Sequence, residues 1–430
     1  MNYIDYVKIE GFWGDKTIEI DFERDINFLI GVNGSGKTTF INLVAAALNL
    51  DFPTLDRFQY QKIHVRLRSF EEKKFKPYIE VEKLKDERTP YPRIIFRIKT
   101  SAKDGIKEYP LNEIEEENLF RYQGDLAYRR RVGRRRDYDE DIFQQIRDLI
   151  NISWLSIHRT NSPNRNQSHD SSFESSVDQK IDELSNSFLR YFSVLQSKAA
   201  NESESFQRYI FLSLLADESE QQIFSVLHTI KSDDEKKYLK EIFSEFNLPE
   251  RMYQDKLEHH FNSYDSSIEK LKQEKALNIN DLSFLIGTRR IHTIVQKWSE
   301  LITKQNEIFK FRDTFLDVVN SLLKRKQLVF SDRNELLIET DSGKTFGLKK
   351  LSSGEKQLII ILGETLLQQA SPHIYIADEP ELSLHVDWQE RLVGSLKSIN
   401  PNSQILFATH SPDIVSSYTH SVIRIEDHIK

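Results

Sequence analysis

The chain has 430 residues, of which 38% are hydrophobic, 11% aromatic and 30% charged, with a formal net charge of −7. That length exceeds one ordinary core and calls for two or three structural units, and only 14 glycines among so many charges point to a helix-rich protein. Zero cysteines exclude disulfides, thiolate zinc sites and cysteine nucleophiles, no apolar run approaches the roughly 18 residues a bilayer demands, and the negative balance restricts any nucleic-acid contact to a local patch.

Residues 1–30 alternate as "YIDYVKIEGF", "KTIEIDF" and "INFLIG", which predicts three short strands, the last almost wholly apolar and so buried. The N-terminus carries acidic residues and no apolar signal core, so no export signal is expected and a reducing cytoplasm fits. A helix is predicted over 38–49, "TTFINLVAAALN". From 63 to 110, "IHVRLRSF", "YIEVEKL" and "RIIFRIKT" are rich in β-branched and aromatic residues between charged turns, and predict an antiparallel subdomain. Residues 112–150 read as charged and mostly helical, and "ISWLSIHR" (152–159) as another buried strand. The polar stretch 160–176 has no periodicity and reads as a loop.

Between 177 and 324 the pattern is helical. Val177, Ile181, Leu184, Phe188, Tyr191 and Leu195 step by fours and threes. Ile291, Ile294, Trp298, Leu301, Ile308, Phe315, Val319 and Leu322 fall on the same lattice, interrupted at Gln305 and Arg312. One seam leaving and one returning predict antiparallel arms, either as a protruding coiled coil or as the core of a helical domain. After 325 strands resume in "KQLVFS", "ELLIET", "IYIADE", "QILFATH" and "SVIRIE". The expectation is an α/β fold in lobes 1–160 and 325–430, split by a helical insertion over 161–324.

Residues 31–38, "GVNGSGKT", follow an apolar strand, open a helix and fit G-x-x-x-x-G-K-[ST]. Such a loop curls its backbone N–H groups around phosphate oxygens, which assigns Asn33, Gly34, Ser35, Gly36, Lys37, Thr38 and Thr39 to nucleotide binding. Lys37 is expected to reach the β- and γ-phosphates and Thr38 to hold Mg²⁺, so the cofactors are ATP and Mg²⁺. In "IYIADEP" (374–380) a buried strand ends in two carboxylates. Asp378 is expected beside the loop as an outer or water-mediated metal ligand, and Glu379 facing the γ-phosphate to polarise the attacking water. In "QILFATHSPDI" (404–414) a strand delivers His410, an imidazole able to hydrogen-bond the γ-phosphate. A solvated strand end or a structural histidine looks the same in isolation; following a phosphate loop gives these residues their weight. "LSSGEKQ" (351–357) has the form of a helix start that meets an anion, with Ser352, Ser353 and Gly354 at the N-terminus.

GVNGSGKT, LSSGEKQ, IYIADEP and FATH, in that order, resemble the ATP-binding-cassette (ABC) ATPase heads. Within these they resemble the RecF, Rad50, SMC and OLD-like branch, whose heads are split by a helical arm. The match covers 1–110 and 325–430, and the arm in layout only. It implies a P-loop head in which LSSGEKQ is the signature motif. That motif contacts the γ-phosphate bound on the opposite subunit, so two heads sandwich two ATP molecules. "ELSLHVDWQ" resembles the D-loop, which puts Ser383, Leu384 and His385 near the dimer interface. Ser353 and Glu355 stand where many members carry glycine and glutamine, and no clear Q-loop glutamine is present. His158 or Arg159 are possible substitutes, with Gln59 and Gln61 behind them, and no adenine-stacking aromatic is assigned.

"YRRRVGRRRDYDE" (128–140) holds Arg129, Arg130, Arg131, Arg134, Arg135 and Arg136 between Tyr128 and Tyr138. The run suits nucleic-acid phosphates, an acidic protein partner, or simple solvation. Only residues 411–430 follow His410, so no Toprim nuclease of the OLD type is expected in this sequence. The resemblance then implies an ATPase subunit, paired through its heads as a homodimer or higher oligomer or with a related partner, that controls a separate nuclease or toxin, as in Septu- and PARIS-type antiphage defence. The alternative is a RecF- or SMC-like DNA-clamping ATPase.

Overall fold

Strands from both ends of the chain meet in one parallel sheet. The computed structural model describes every residue except 72, 85–91, 111–140, 156–175, 214, 216–229, 274 and 332. The arginine run with Tyr128 and Tyr138, His158 and Arg159, and residues 160–175 of the loop read over 160–176 therefore lie outside the described residues, while Ser176 begins a helix. Two compact units emerge, one from Met1–Leu189 with Phe311–Lys430 and one from Arg190–Lys310.

In the first unit the N-terminal strands run as expected: β1 (Asn2–Phe12), β2 (Lys16–Asp21) and β3 (Ile26–Ile30), followed by helix α1 (Lys37–Asn49) and the short α2 (Phe52–Arg57). Strands β4 (Lys62–Ser69), β5 (Tyr78–Leu84), β6 (Arg93–Lys99) and β7 (Lys107–Pro110) join β1 and β2 in an antiparallel sheet ordered β2-β1-β4-β5-β6-β7. Sequence reading did not anticipate β7, whose four residues "KEYP" carry one buried side chain and no alternation long enough to read. The inward residues Val7, Ile9, Ile20, Ile63, Val65, Ile79 and Val81 share one core with Phe40, Leu43 and Val44 of α1. Period-two alternation on the sheet thus meets the apolar face of the helix.

Helix α3 (141–149) leads to β8 (Ile152–Leu155). The later strands β9 (Lys326–Phe330), β10 (Leu336–Thr340) and β11 (Thr345–Gly347) form a meander. Strands β12 (His373–Asp378), β13 (Ser403–Ala408) and β14 (Val422–Arg424) complete a five-stranded sheet ordered β14-β3-β13-β12-β8. Every pairing in it is parallel. All six residues of β13 are buried, as a central strand covered on both faces requires. The side chain of Gln404 accepts from the Ile4 N–H at 2.9 Å and donates to the Ile4 carbonyl at 2.8 Å, tying the two ends of the sequence together.

Among the described residues of the middle of the chain, four α-helices are seen: α4 (Ser176–Ser213), α5 (Ser232–Glu245), α6 (Gln254–Lys272) and α7 (Ile279–Leu322). Within the second unit, α4 and α7 pair antiparallel. Phe206 meets Trp298 with ring centroids 5.4 Å apart, and Lys304 pairs with Glu202 at 2.8 Å. Gln305, the polar break in the seam, donates to Ser203 Oγ at 3.1 Å, so its amide is satisfied across the pair. Leu239, Ile242, Leu257, Phe261, Tyr264, Leu285 and Val295 form this unit's core, with the Glu235 carboxylate bonded to His292 Nδ1. In the first unit the same helices meet at Phe188 and Phe315, 5.5 Å apart. Three helices follow there: α8 (Ser353–Leu367), α9 (Val386–Ile399) and the single turn α10 (Pro412–Val415).

Candidate functional site

The loop 31–38 leaves β3 and wraps into α1. Gly36 is the helix N-cap, with φ 98°, and offers no side-chain cap. A Cβ there would stand 2.8 Å from a ring carbon of Trp13 and 2.9 Å from one of Phe12, so both the backbone and the space demand glycine. A Cβ on Gly34 would meet nothing within 4 Å, so there the positive φ of 82° alone calls for glycine. The first-turn N–H groups of Lys37, Thr38 and Thr39 point out of an uncapped helix end, which suits an anion. Ser35 is buried in the loop and Asn33 is exposed.

Lys37 is 5% exposed, and its ammonium donates to the carbonyls of Gly31 (2.8 Å) and Val32 (3.2 Å). Burial holds its pKa below the ordinary lysine value, while the carboxylates of Glu426, Glu379 and Asp378 pull the other way.

Thr38 Oγ1 donates to Asp378 Oδ1 at 3.2 Å. A hydroxyl and a carboxylate at one spot are the hard oxygen donors Mg²⁺ takes alongside phosphate and water. The residues present therefore fit a magnesium nucleotide. Next to Asp378, Glu379 adopts φ 49°, a left-handed conformation unusual for glutamate, with its N–H donating to the Ala408 carbonyl at 2.8 Å. His410 Nε2 lies 3.9 Å from Glu379 Oε1. The preceding residue, Thr409, is wholly buried and its N–H donates to the Leu29 carbonyl at 3.1 Å. Loop, acidic pair and histidine thus stand at the C-terminal ends of adjacent parallel strands, where open α/β sheets bind ligands.

The residues of LSSGEKQ start α8. Ser352 is the N-cap of a full capping box, its hydroxyl donating to Glu355 Oε2 at 2.7 Å while the Glu355 carboxylate also accepts from the Ser352 N–H at 3.0 Å. Lys326 pairs with the same carboxylate at 2.7 Å. These donors hold the Glu355 carboxyl below the usual range against the desolvation that would raise it. Ser352 and Ser353 are exposed, and Gly354 is buried because the Ser383 carbonyl lies 2.3 Å from where its Cβ would be. Among the described residues, Ser352 bonds within its own capping box and makes no hydrogen bond to the phosphate loop of its own chain.

Three residues beside the site escaped the sequence reading. Trp13, 41% exposed and at φ 58°, packs against Gly36 from the β1–β2 turn. An aromatic residue inside "GFWGD", where strand alternation has stopped, was the available signal. Gln59 and Gln61 lie against the same turn at Gly14 and Gly11. Glu426 accepts from the Val32 N–H at 2.7 Å, and donors from the backbone at 426 and 32 hold its carboxyl below the usual range. Glu381, two residues beyond the acidic pair, is buried against the histidine loop.

A family model described as AAA ATPase domain matches residues 3–415. The Septu protein PtuA of Bacillus thuringiensis is 30% identical over 132 residues, 28% of this chain and 33% of that protein. The retron Vc95 probable ATPase of Vibrio cholerae serotype O1 biovar El Tor is 25% identical over 236 residues, 46% of this chain and 45% of that protein. The chain thus spans less than half the length of the curated relatives it matches. Among solved structures, the Smc head domain of Pyrococcus yayanosii is 14% identical with a TM-score of 0.41, covering 97% of this chain and 93% of that one. The Smc head of Pyrococcus furiosus bound to the C-terminal domain of ScpA is 15% identical with a TM-score of 0.38, covering 97% and 92%. Likeness at that level is too loose to bear on function. No helix among the described residues is long and apolar enough to cross a membrane. Matched from residue 3 to residue 415, the chain belongs to the AAA ATPase domain family.

Proposed function

We propose that two copies of this ATPase close head to head around two ATP molecules, and that the closed state controls a separate nuclease or toxin in antiphage defence. The similarity to Septu PtuA and the retron ATPase carries the defence assignment. The geometry supports the chemistry. The 31–38 loop and Lys37 would hold the phosphates, and Thr38 with Asp378 would hold Mg²⁺, which when bound would supply charge neutralisation at the phosphates. Glu379 orients the attacking water, and His410 donates to a γ-phosphate oxygen. Trp13 stands at the rim of the loop, where an exposed indole offers a stacking face to adenine. Ser352, Ser353 and Gly354 belong to the partner's nucleotide: an anion arriving at the exposed end of α8 gains the helix dipole and the exposed Ser353 hydroxyl.

Two experiments test this reading. Glu379→Gln removes the water-orienting carboxylate and keeps the shape, so the variant should accumulate as an ATP-dependent dimer on gel filtration with turnover reduced about a hundredfold or more. A variant hydrolysing at the native rate takes Glu379 out of that role. Purification of the tagged protein from its native operon, with and without ATP, should bring down a nuclease or toxin. The defence assignment fails if nothing of that kind co-purifies and the neighbouring genes encode none.

A further inference from the structure

Glu381 is 9% exposed, and one of its oxygens takes three hydrogen bonds from the loop that carries His410. Thr409 Oγ1 donates to Oε1 at 2.6 Å, the His410 N–H at 3.0 Å and the Ser411 N–H at 3.2 Å. Successive N–H groups with a hydroxyl beside them make a nest for an anion, and here the chain's own carboxylate fills it. The segment bearing Glu381 is fixed in turn. Gln357 of α8 donates to the Pro380 carbonyl at 3.1 Å, and the Ser383 carbonyl packs on Gly354. Gln389 of α9 donates to the Leu384 carbonyl at 3.0 Å and accepts from Ser411 Oγ at 2.7 Å. The His410 imidazole, by contrast, is 39% exposed on its side chain and 3.9 Å from Glu379. Its place is therefore set through its backbone, between β3 on one side and Glu381 on the other.

We propose that Glu381 is a positioning residue for ATP hydrolysis, its carboxylate holding the 409–411 loop so that His410 faces the nucleotide beside Glu379. This rests on the reading above, in which Glu379 and His410 act on ATP. A brace that served folding alone would lower stability and leave the turnover of folded protein unchanged. The two roles separate in kinetics.

The experiment uses the full chain: steady-state release of phosphate from Mg-ATP, binding of a fluorescent ATP analogue, and thermal melting. The variants are Glu381→Ala, Glu381→Gln, Thr409→Val, His410→Ala and the double Glu381→Ala/His410→Ala. Expected is a kcat about tenfold or more lower in Glu381→Ala with KM and analogue affinity within about threefold, and an intermediate kcat in Glu381→Gln. Because both residues act through one imidazole, the double variant should be no slower than His410→Ala alone. Native kcat in Glu381→Ala, a change confined to KM, or losses that multiply in the double variant each overturn the proposal. Should Glu381→Ala fail to fold, the near-isosteric Glu381→Gln and Thr409→Val decide: reduced kcat at native affinity supports it, and native kcat in both overturns it. Native kcat in His410→Ala overturns the underlying role of His410, a failure distinct from that of Glu381.

Discussion

His373 begins β12, at the opposite end of that strand from Asp378, and burial pushes its imidazole down to a pKa of about 4. The ordinary value is 6.5, so between the two the unfolded chain binds a proton that the folded chain refuses. Stability from keeping this ring neutral is fully present above 6.5 and is lost as the pH falls to about 4, a swing of about 3 kcal/mol. Glu364 works the other way. Burial raises its carboxyl against the pull of Lys180, so its contribution is present at low pH and fades as pH rises through the folded value. Comparison of single variants isolates the histidine. His373→Asn should lose less apparent Tm than the native protein between pH 7 and pH 4.5 by differential scanning fluorimetry, and equal losses would sink the idea.

Among the elements, α8 carries the signature residues at one end and a close helix contact at the other. A Cβ on Gly363 would stand 2.6 Å from Phe188 Cζ and 3.0 Å from Leu184 Cδ2 of α4. Gly363→Val should therefore overpack this contact and cost about 1–3 kcal/mol, read as a lower Tm. Gly394, inside α9, is the control. Its nearest neighbour would be Tyr418 Oη at 3.9 Å, so Gly394→Ala should be neutral or stabilising by up to about 1 kcal/mol. Equal effects at the two glycines would contradict the packing argument. The elements also show where sequence is readable. Leu184 and Phe188 stood out because a heptad seam is a local pattern, and β3, β12 and β13 because buried parallel strands are continuous apolar runs. The phosphate loop was legible because its glycines and lysine lie within eight positions, in context. Glu381 was not, since its surroundings are made by residues 409–411, far along the chain. Trp13 was hidden for a related reason: a turn conformation, rather than an alternation, aims its ring at Gly36.

For the whole molecule, the proposed dimer makes a separable prediction. Ser352→Arg places a long cation at the exposed head of α8, where the native serine makes no hydrogen bond to the 31–38 loop of its own chain among the described residues. ATP affinity of the monomer should stay within about threefold of native, while ATP-dependent dimerisation measured by light scattering is lost. Loss of affinity in the monomer, or a dimer that still forms, would place the signature residues elsewhere.

The order of strands in the parallel sheet has one more consequence, in the time it takes to make the chain. β3 carries the 31–38 loop, yet its neighbours β13 (Ser403–Ala408) and β14 (Val422–Arg424) lie far along the chain and are synthesised long after it. The antiparallel sheet, by contrast, uses only residues from Asn2 to Pro110 and can pair while translation continues. The parallel sheet must wait, with Ile4 lacking its bonds to Gln404 until that residue has been made. Contacts so distant in sequence close slowly. A growing polypeptide therefore carries a complete phosphate-loop sequence long before it has the neighbouring strands that hold it in the sheet.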